Sequence, residues 1–238
     1  MKSVLVNGGS RGIGAEIVRI FCESGYRVAF TYKRSAQAAA MLAAQTGAHA
    51  IVADSACEGE VIRAVAEAKE ILGGVDILVN VAAISSFSLF TDLTAEDWNR
   101  IFAVNVNGFF YYARAVLPGM ISNKNGRIIN ISSMWGSVGA SCEVHYSATK
   151  AAIDGMTKAL AKEVAPSGVT VNAVAPGVIA TEMNAALSEE DISALCEETP
   201  LGRIGTPREV AETVLFLAGE GAGFITGQII GVNGGFVI

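Results

Sequence analysis

Seven short runs rich in β-branched residues, at 3–6, 27–32, 48–53, 76–81, 127–132, 169–174 and 228–232, constrain this chain most, because helical patterns separate nearly all of them. Several are nearly continuously apolar rather than apolar at alternate positions, as in Val4-Leu5-Val6 and Ile77-Leu78-Val79. A strand that is apolar on both faces has to be covered on both, and crossover helices supply the covers. The expected fold is α/β: one doubly wound domain with a parallel sheet of about seven strands. A length of 238 residues, 51% of them hydrophobic and 17% charged, suits one large core, so residues 1–238 are read as a single domain. One interval breaks the rhythm. Residues 178–203, between the sixth strand and the next helix, exceed an ordinary connection, and their place at the carboxyl ends of the strands makes them a candidate substrate lid or else a surface loop.

Charge narrows the ligand. A net charge of -6, a pI near 5.0 and the lack of any lysine or arginine cluster oppose binding to nucleic acid, which leaves a small molecule. Cys22, Cys57, Cys142 and Cys196 have no C-x2-C spacing, and only His49 and His145 could join them, so no metal site is expected and the thiols are read as free. The N-terminus runs straight into the first strand without a signal-peptide pattern, and no apolar run approaches membrane-spanning length. The expected location is cytoplasmic, with no membrane partner.

After the first strand comes Asn7-Gly8-Gly9-Ser10-Arg11-Gly12-Ile13-Gly14, opening a helix that runs to about Glu23. Glycines let backbone amides approach a pyrophosphate, and the helix N-terminus adds partial positive charge, so strand, turn and helix together make an anion site of the Rossmann type. A site that prefers NAD carries an acidic residue after the second strand to accept the ribose hydroxyls. Here Thr31-Tyr32-Lys33-Arg34-Ser35 supplies cations instead, and Arg11 projects toward the same corner. A 2'-phosphate fits such a corner, so the expected cofactor is NADP(H); the alternative is that Lys33 and Arg34 are only solvated charges.

Ser133, Tyr146 and Lys150 form S-x12-Y-x3-K. Residues four apart on a helix share a face, so the Lys150 ammonium is expected near the Tyr146 phenol, lowering its pKa from about 10 toward about 7 with help from an oxidised nicotinamide. Such a tyrosine is a usable proton donor.

These residues resemble the short-chain dehydrogenase/reductase family along the whole chain. Its glycine signature matches Gly8, Gly12 and Gly14, its triad matches Ser133, Tyr146 and Lys150, and its helical asparagine matches Asn105 in Val104-Asn105-Val106-Asn107-Gly108. The resemblance implies a catalytic tetrad of Asn105, Ser133, Tyr146 and Lys150, with Asn105 holding a water on the proton path. It further implies cofactor contacts from Ser10, Arg11, Ile13, Ala82, Tyr146 and Lys150. Asp54 and Ser55 would lie at the adenine, Asn80 at the adenosine end, and Pro176, Gly177, Ile179 and Thr181 at the carboxamide. Thr199-Pro200-Leu201-Gly202-Arg203-Ile204-Gly205-Thr206-Pro207 and the ending from Thr226 to Gly235 resemble the 3-oxoacyl-acyl-carrier-protein reductase branch, which implies ketone reduction with NADPH and a homotetramer.

The departures are informative. The usual Asn-Asn-Ala-Gly after the fourth strand is Asn80-Val81-Ala82-Ala83, and the usual Thr before Gly8 is Asn7, which is expected to replace a hydrogen bond lost at Val81. Ala83 is expected to crowd the cofactor. Of the basic pair that docks acyl carrier protein in that branch, Lys124 is present and Ser167 replaces the second charge. Trp135, Glu143 and Met183 are the candidate substrate-pocket residues. Glu143, where carrier-protein reductases commonly have Gln, favours a cationic substrate unless it pairs with a neighbouring base; Trp135 could wall a tether or stack on a cation. His145 is read as a packed imidazole. The string from Trp135 through Ala148 resembles reductases of the 5-aminopentanone group on elongation factor P, and the reading leans that way over fatty-acid elongation. Other readings are an NADP-dependent alcohol or sugar dehydrogenase and, less favoured because the tetrad is complete, a non-catalytic nicotinamide sensor.

Overall fold

The computed structural model describes residues 2–182 and 188–238. Its seven strands, β1 (Ser3–Asn7), β2 (Arg27–Tyr32), β3 (His49–Val52), β4 (Ile77–Asn80), β5 (Gly126–Ile131), β6 (Val169–Pro176) and β7 (Ile229–Val232), form one sheet in the order β3-β2-β1-β4-β5-β6-β7. Every neighbouring pair is parallel. The seven expected runs are these strands to within a few residues at their ends.

Alternation along each strand feeds two cores. On one face Val4, Val6 and Phe30 pack with α1 (Gly12–Glu23), α2 (Ala36–Thr46) and α9 (Pro207–Ala218), through Ile17, Phe21, Leu42 and Val214. On the other, Leu5, Ala29 and Leu78 pack with α3 (Glu58–Leu72), α5 (Gly108–Ser122) and α7 (Val144–Val164), through Val65, Tyr112, Val116 and Ala161. Neighbouring positions in β1 therefore serve opposite cores, which is why Val4, Leu5 and Val6 are apolar without a break.

The chain leaves β1 toward β2 on one side and returns to β4 on the other, so a crevice opens at the carboxyl ends of β1 and β4, where ligands bind in open α/β sheets. Between β4 and β5 lie α4 (Ala95–Phe102), a π-helical turn (Ala103–Asn107) and α5. A four-residue helix, α6 (Trp135–Val138), precedes α7. The interval 178–203 contains a regular element, α8 (Glu189–Glu198). Ser188 and Asp191 form a reciprocal capping box at its start, and acidic residues fill its first turn. The base of the interval is tied by a bridge between Ile179 and Gly205.

Candidate active site

Ser133 lies just beyond β5, and Tyr146 and Lys150 lie in the first two turns of α7, which packs along β6 and its neighbours. Ser133 Oγ accepts from the Trp135 amide at 3.2 Å, and the Ser133 hydroxyl acts on the Tyr146 phenol, favouring its ionised form. Lys150 is buried; its Nζ donates to the Ile131 carbonyl at 2.8 Å and sits 5.4 Å from the centroid of the Tyr146 ring and 5.8 Å from that of Phe109. Tyr146 is only half-buried, which leaves the phenol reachable.

The electrostatics correct one expectation. Burial pushes the Tyr146 phenol up to about 12, the Ser133 hydrogen bond opposing and the Glu143 charge reinforcing the rise. Burial drives the Lys150 ammonium down to about 8, against the charge of Asp154. Lys150 does not bring the phenol toward 7 in this structure. Its ammonium lies over the ring and is spent on a main-chain carbonyl, so desolvation of the phenolate outweighs its attraction. A phenol held this high is protonated at neutral pH and suits the donor side of a proton transfer.

Asn105 falls in the π-helical turn, a local widening that recurs at functional sites. Its Oδ1 accepts from the Ile84 amide at 2.8 Å, and its Nδ2 donates to the Ile84 carbonyl at 2.9 Å and to Thr149 Oγ1 at 3.2 Å. The carboxamide thus braces the chain after β4 against α7, leaving one lone pair of Oδ1 for the relay expected of it.

Beneath the crevice runs a polar ladder that sequence reading did not find. Ser55 Oγ donates to Asn7 Oδ1 at 3.0 Å, Asn7 Nδ2 to Asn80 Oδ1 at 3.3 Å, Asn80 Nδ2 to Asn130 Oδ1 at 3.0 Å, and Asn130 Nδ2 to Thr157 Oγ1 at 2.9 Å. The asparagines are in register across β1, β4 and β5. Their common position near the end of an apolar strand was the available signal. Asn80 is fully buried and its side chain is committed to this ladder, so it supports the adenosine end from below. Ser55 is likewise tied to Asn7. The Asn7 carbonyl accepts the amides of Val81 and Ala82, each at 3.1 Å, and its side chain holds Asn80, so Asn7 does secure the segment where the second asparagine is replaced.

The glycine loop fits a phosphate ligand. Gly8 and Gly12 have φ of +77° and +52°, and a Cβ on Gly14 would stand 2.1 Å from the Gly8 carbonyl. The N-cap of α1, Arg11, makes no side-chain capping bond, and the first turn has no acidic residue, so the amides that open the helix around Gly12, Ile13 and Gly14 are left for an anion. A cavity of about 710 Å³ adjoins this loop, lined by Ser10, Arg11, Gly12, Val178 and Thr181 among others, on the side of α1 and α2 rather than over Tyr146. Beyond β2, Lys33 forms an ion pair with Asp54. Burial pushes the Asp54 carboxyl up, but Lys33, the Ala56 amide and the Arg34 charge together outweigh it and hold the group below its usual range. Lys33 is therefore already neutralised and sits beside the residue expected at the adenine. The side chains of Arg11 and Arg34, both exposed residues, form no hydrogen bond or ion pair among the described residues.

After β6, Pro176 is buried and Gly177 partly so, and a Cβ on Gly177 would meet Asn233 at 2.8 Å. The Ile179 side chain lies in the core, and its main chain bridges Gly205. Thr181 lies across from Gly12, whose Cβ would come 3.5 Å from the Thr181 Cγ2.

Around the presumptive substrate mouth, Glu143 Oε1 accepts from Ser85 Oγ at 2.5 Å, His145 Nε2 is 2.7 Å from Ser86 Oγ, and the Ser88 amide donates to the Cys142 carbonyl at 2.9 Å. Three bonds thus lace the segment after β4 to the one before α7. His145 is fully buried, as read. Glu143 has a hydroxyl partner and no base among the described residues. Trp135 stacks edge-on against Phe236, with centroids 5.7 Å apart. Met183 lies outside the described residues. No cluster of His, Cys, Asp and Glu suited to a metal occurs among them, and no helix among them is long and apolar enough to cross a membrane.

Residues 8–237 match the family model described as enoyl-(acyl carrier protein) reductase. The chain is 44% identical over 239 residues to the 3-oxoacyl-[acyl-carrier-protein] reductase FabG of Aquifex aeolicus (strain VF5), covering 98% of this chain and 96% of that one. It is 42% identical over 235 residues to the acetoacetyl-CoA reductase of Shinella zoogloeoides, covering 98% of each. A double mutant of a Serratia marcescens short-chain dehydrogenase/reductase superposes with a TM-score of 0.92 at 37% identity, covering 99% of this chain and 97% of that one. With the tetrad, the glycine loop and the sheet order in agreement along its whole length, the chain is an oxidoreductase that belongs to the short-chain dehydrogenase/reductase family, in its 3-oxoacyl-acyl-carrier-protein reductase-like branch.

Proposed function

We propose that the protein reduces the ketone of a 3-oxoacyl thioester to a secondary alcohol with NADPH. The observation that carries this reading is the pairing of a reachable, fully protonated Tyr146 phenol with Ser133 above a buried Lys150. NADPH, when bound, supplies the hydride. Ser133 and Tyr146 hold the ketone oxygen between their hydroxyls, and Tyr146 passes its proton to that oxygen as negative charge develops. Lys150 reaches the nicotinamide ribose and stabilises the phenolate left behind, while Asn105 orders the path by which the proton is replaced. The α1 amides with Ser10 and Arg11 take the pyrophosphate, and Arg34 with Arg11 takes the 2'-phosphate, Lys33 joining only as it leaves Asp54.

The relatives named for 3-oxoacyl-carrier-protein and acetoacetyl-CoA reduction support a thioester substrate. A second reading, the 5-aminopentanone group on elongation factor P, is favoured by Glu143, whose charge meets a hydroxyl rather than a base. Lys124 and Ser167 lie at the starts of β5 and β6, where a Cβ on Gly168 would come 2.5 Å from the Lys124 carbonyl, so carrier docking rests on one charge there. Exposed Phe110 on α5 and Phe216 and Phe224 near the C-terminus support assembly as a homotetramer, and the working compartment is the cytoplasm.

Tyr146→Phe tests the chemistry: turnover should fall by about 100-fold or more with NADPH binding retained. A variant that keeps most of its turnover would remove Tyr146 from the mechanism. The lid assignment for 178–203 predicts slower amide exchange in α8 when cofactor and substrate analogue are both bound; unchanged exchange in α8 rejects it.

A further inference from the structure

Buried charge beside the tetrad is not confined to Lys150. One turn further along the same face of α7 stands Asp154, only 7% exposed, whose Oδ1 has no hydrogen-bond partner. A Cβ on Gly136 of α6 would come 3.0 Å from its Oδ2 and 3.0 Å from the Lys150 carbonyl carbon, so α6 closes over this carboxylate. The Ser132 hydroxyl donates to the Lys150 main-chain carbonyl at 3.4 Å and favours the ionised form of Asp154. An acid buried this far with an unpartnered oxygen costs stability, and its place one turn along α7 from a fully buried lysine, close to that residue's main chain, gives it a use.

We propose that Asp154 is a positioning residue that keeps Lys150 cationic in its buried site and thereby sets the alkaline limit of turnover. The inference rests on the reductase reading, in which Lys150 works as a cation. The charged groups around the pair are few: Tyr146 and Lys158 on α7 itself, Glu143 at the start of α7 acting on Tyr146, and from β5 and α5 only the Ile131 carbonyl and the Phe109 ring. The charge opposing the desolvation of Lys150 is that of Asp154. Lys158 in turn favours the ionised form of Asp154, as Lys150 does, against the burial that raises it.

The test is the pH profile of kcat/KM for Asp154→Asn. Removing the charge should move the alkaline limb to lower pH, so that the ratio of wild-type to variant activity grows by about ten-fold between about pH 7 and about pH 9, with Asp154→Glu restoring part of the loss. A ratio that is the same at every pH is what loss of a structural contact produces and would overturn the proposal. Should the variant fail to fold, the unmutated protein carries a second test. The Asp154 carboxyl carbon, followed by NMR from about pH 6 to about pH 10, should show an inflection at the pH where the Lys150 Cε titrates. Absence of that inflection overturns the coupling whether or not the protein reduces ketones, while absence of all ketone reduction with the inflection present would overturn only the reductase reading.

Discussion

Lys150 is the residue at which fold and function pull hardest against each other. It is fully enclosed, and enclosure, opposed by the charge of Asp154, takes its ammonium from 10.5 to about 8. Because the folded value lies below the unfolded one, the unfolded chain binds more protons between these values. The cost of burying the cation is therefore complete below pH 8 and relieved as pH rises toward 10.5. That cost is on the order of 3 kcal/mol. Lys150→Met should abolish reduction yet raise the melting temperature by several degrees, roughly 2–4 °C per kcal/mol, with the gain shrinking above pH 8. Thermal melts of both proteins at acid, neutral and alkaline pH check this; a lower melting temperature in the variant at neutral pH would mean that Lys150 is a net stabiliser. At the cofactor corner, Arg34→Ala should weaken NADPH binding by about ten-fold and leave NADH binding nearly unchanged, which fluorescence titration with each cofactor reads directly. Equal weakening for both would assign Arg34 no part in reading the 2'-phosphate.

At the scale of elements, the site is assembled by structures that hold chain ends rather than by the strands themselves. The π-helical turn aims Asn105 at Ile84 and Thr149, and the asparagine ladder ties the ends of β1, β4 and β5 to α7 through Thr157. Asn80→Ala leaves the Asn7 Nδ2 and the Asn130 Oδ1 each without its buried partner, for a loss of about 2 to 4 kcal/mol measurable by denaturant unfolding. A loss under about 0.5 kcal/mol would show that the ladder is not a stabilising unit. Neither feature was legible as a pattern, because hydrophobic periodicity reports which residues are buried and says nothing of how buried amides find each other. The strands were legible to within a few residues, since two-sided burial leaves a continuous apolar run. Helix α8 was missed for a different reason: its apolar stripe is thin and nothing on it is buried, although Ser188 with Asp191 three residues on is a capping signal that could have placed its start.

Across the whole molecule, sheet order places the crevice, and the crevice collects residues scattered from Gly8 to Thr181. The identities of Ser133, Tyr146 and Lys150 could be read from spacing, whereas their electrostatics could not. Proximity of a cation suggested a low phenol pKa; the fold instead surrounds the phenol oxygen closely enough that desolvation of the phenolate raises it, while the residue as a whole stays half-buried. Likewise Lys33 and Asp54 lie 21 positions apart in sequence and gave no sign of the ion pair that the β2–β3 register creates. Consumption of NADPH by the purified protein, followed with acetoacetyl thioester on acyl carrier protein and on coenzyme A beside elongation factor P carrying 5-aminopentanone, tests the central claim most directly. The account predicts stoichiometric conversion of ketone to alcohol with the thioesters and its loss in Tyr146→Phe; no NADPH consumption with any of these ketones, from a folded protein that binds the cofactor, would contradict it.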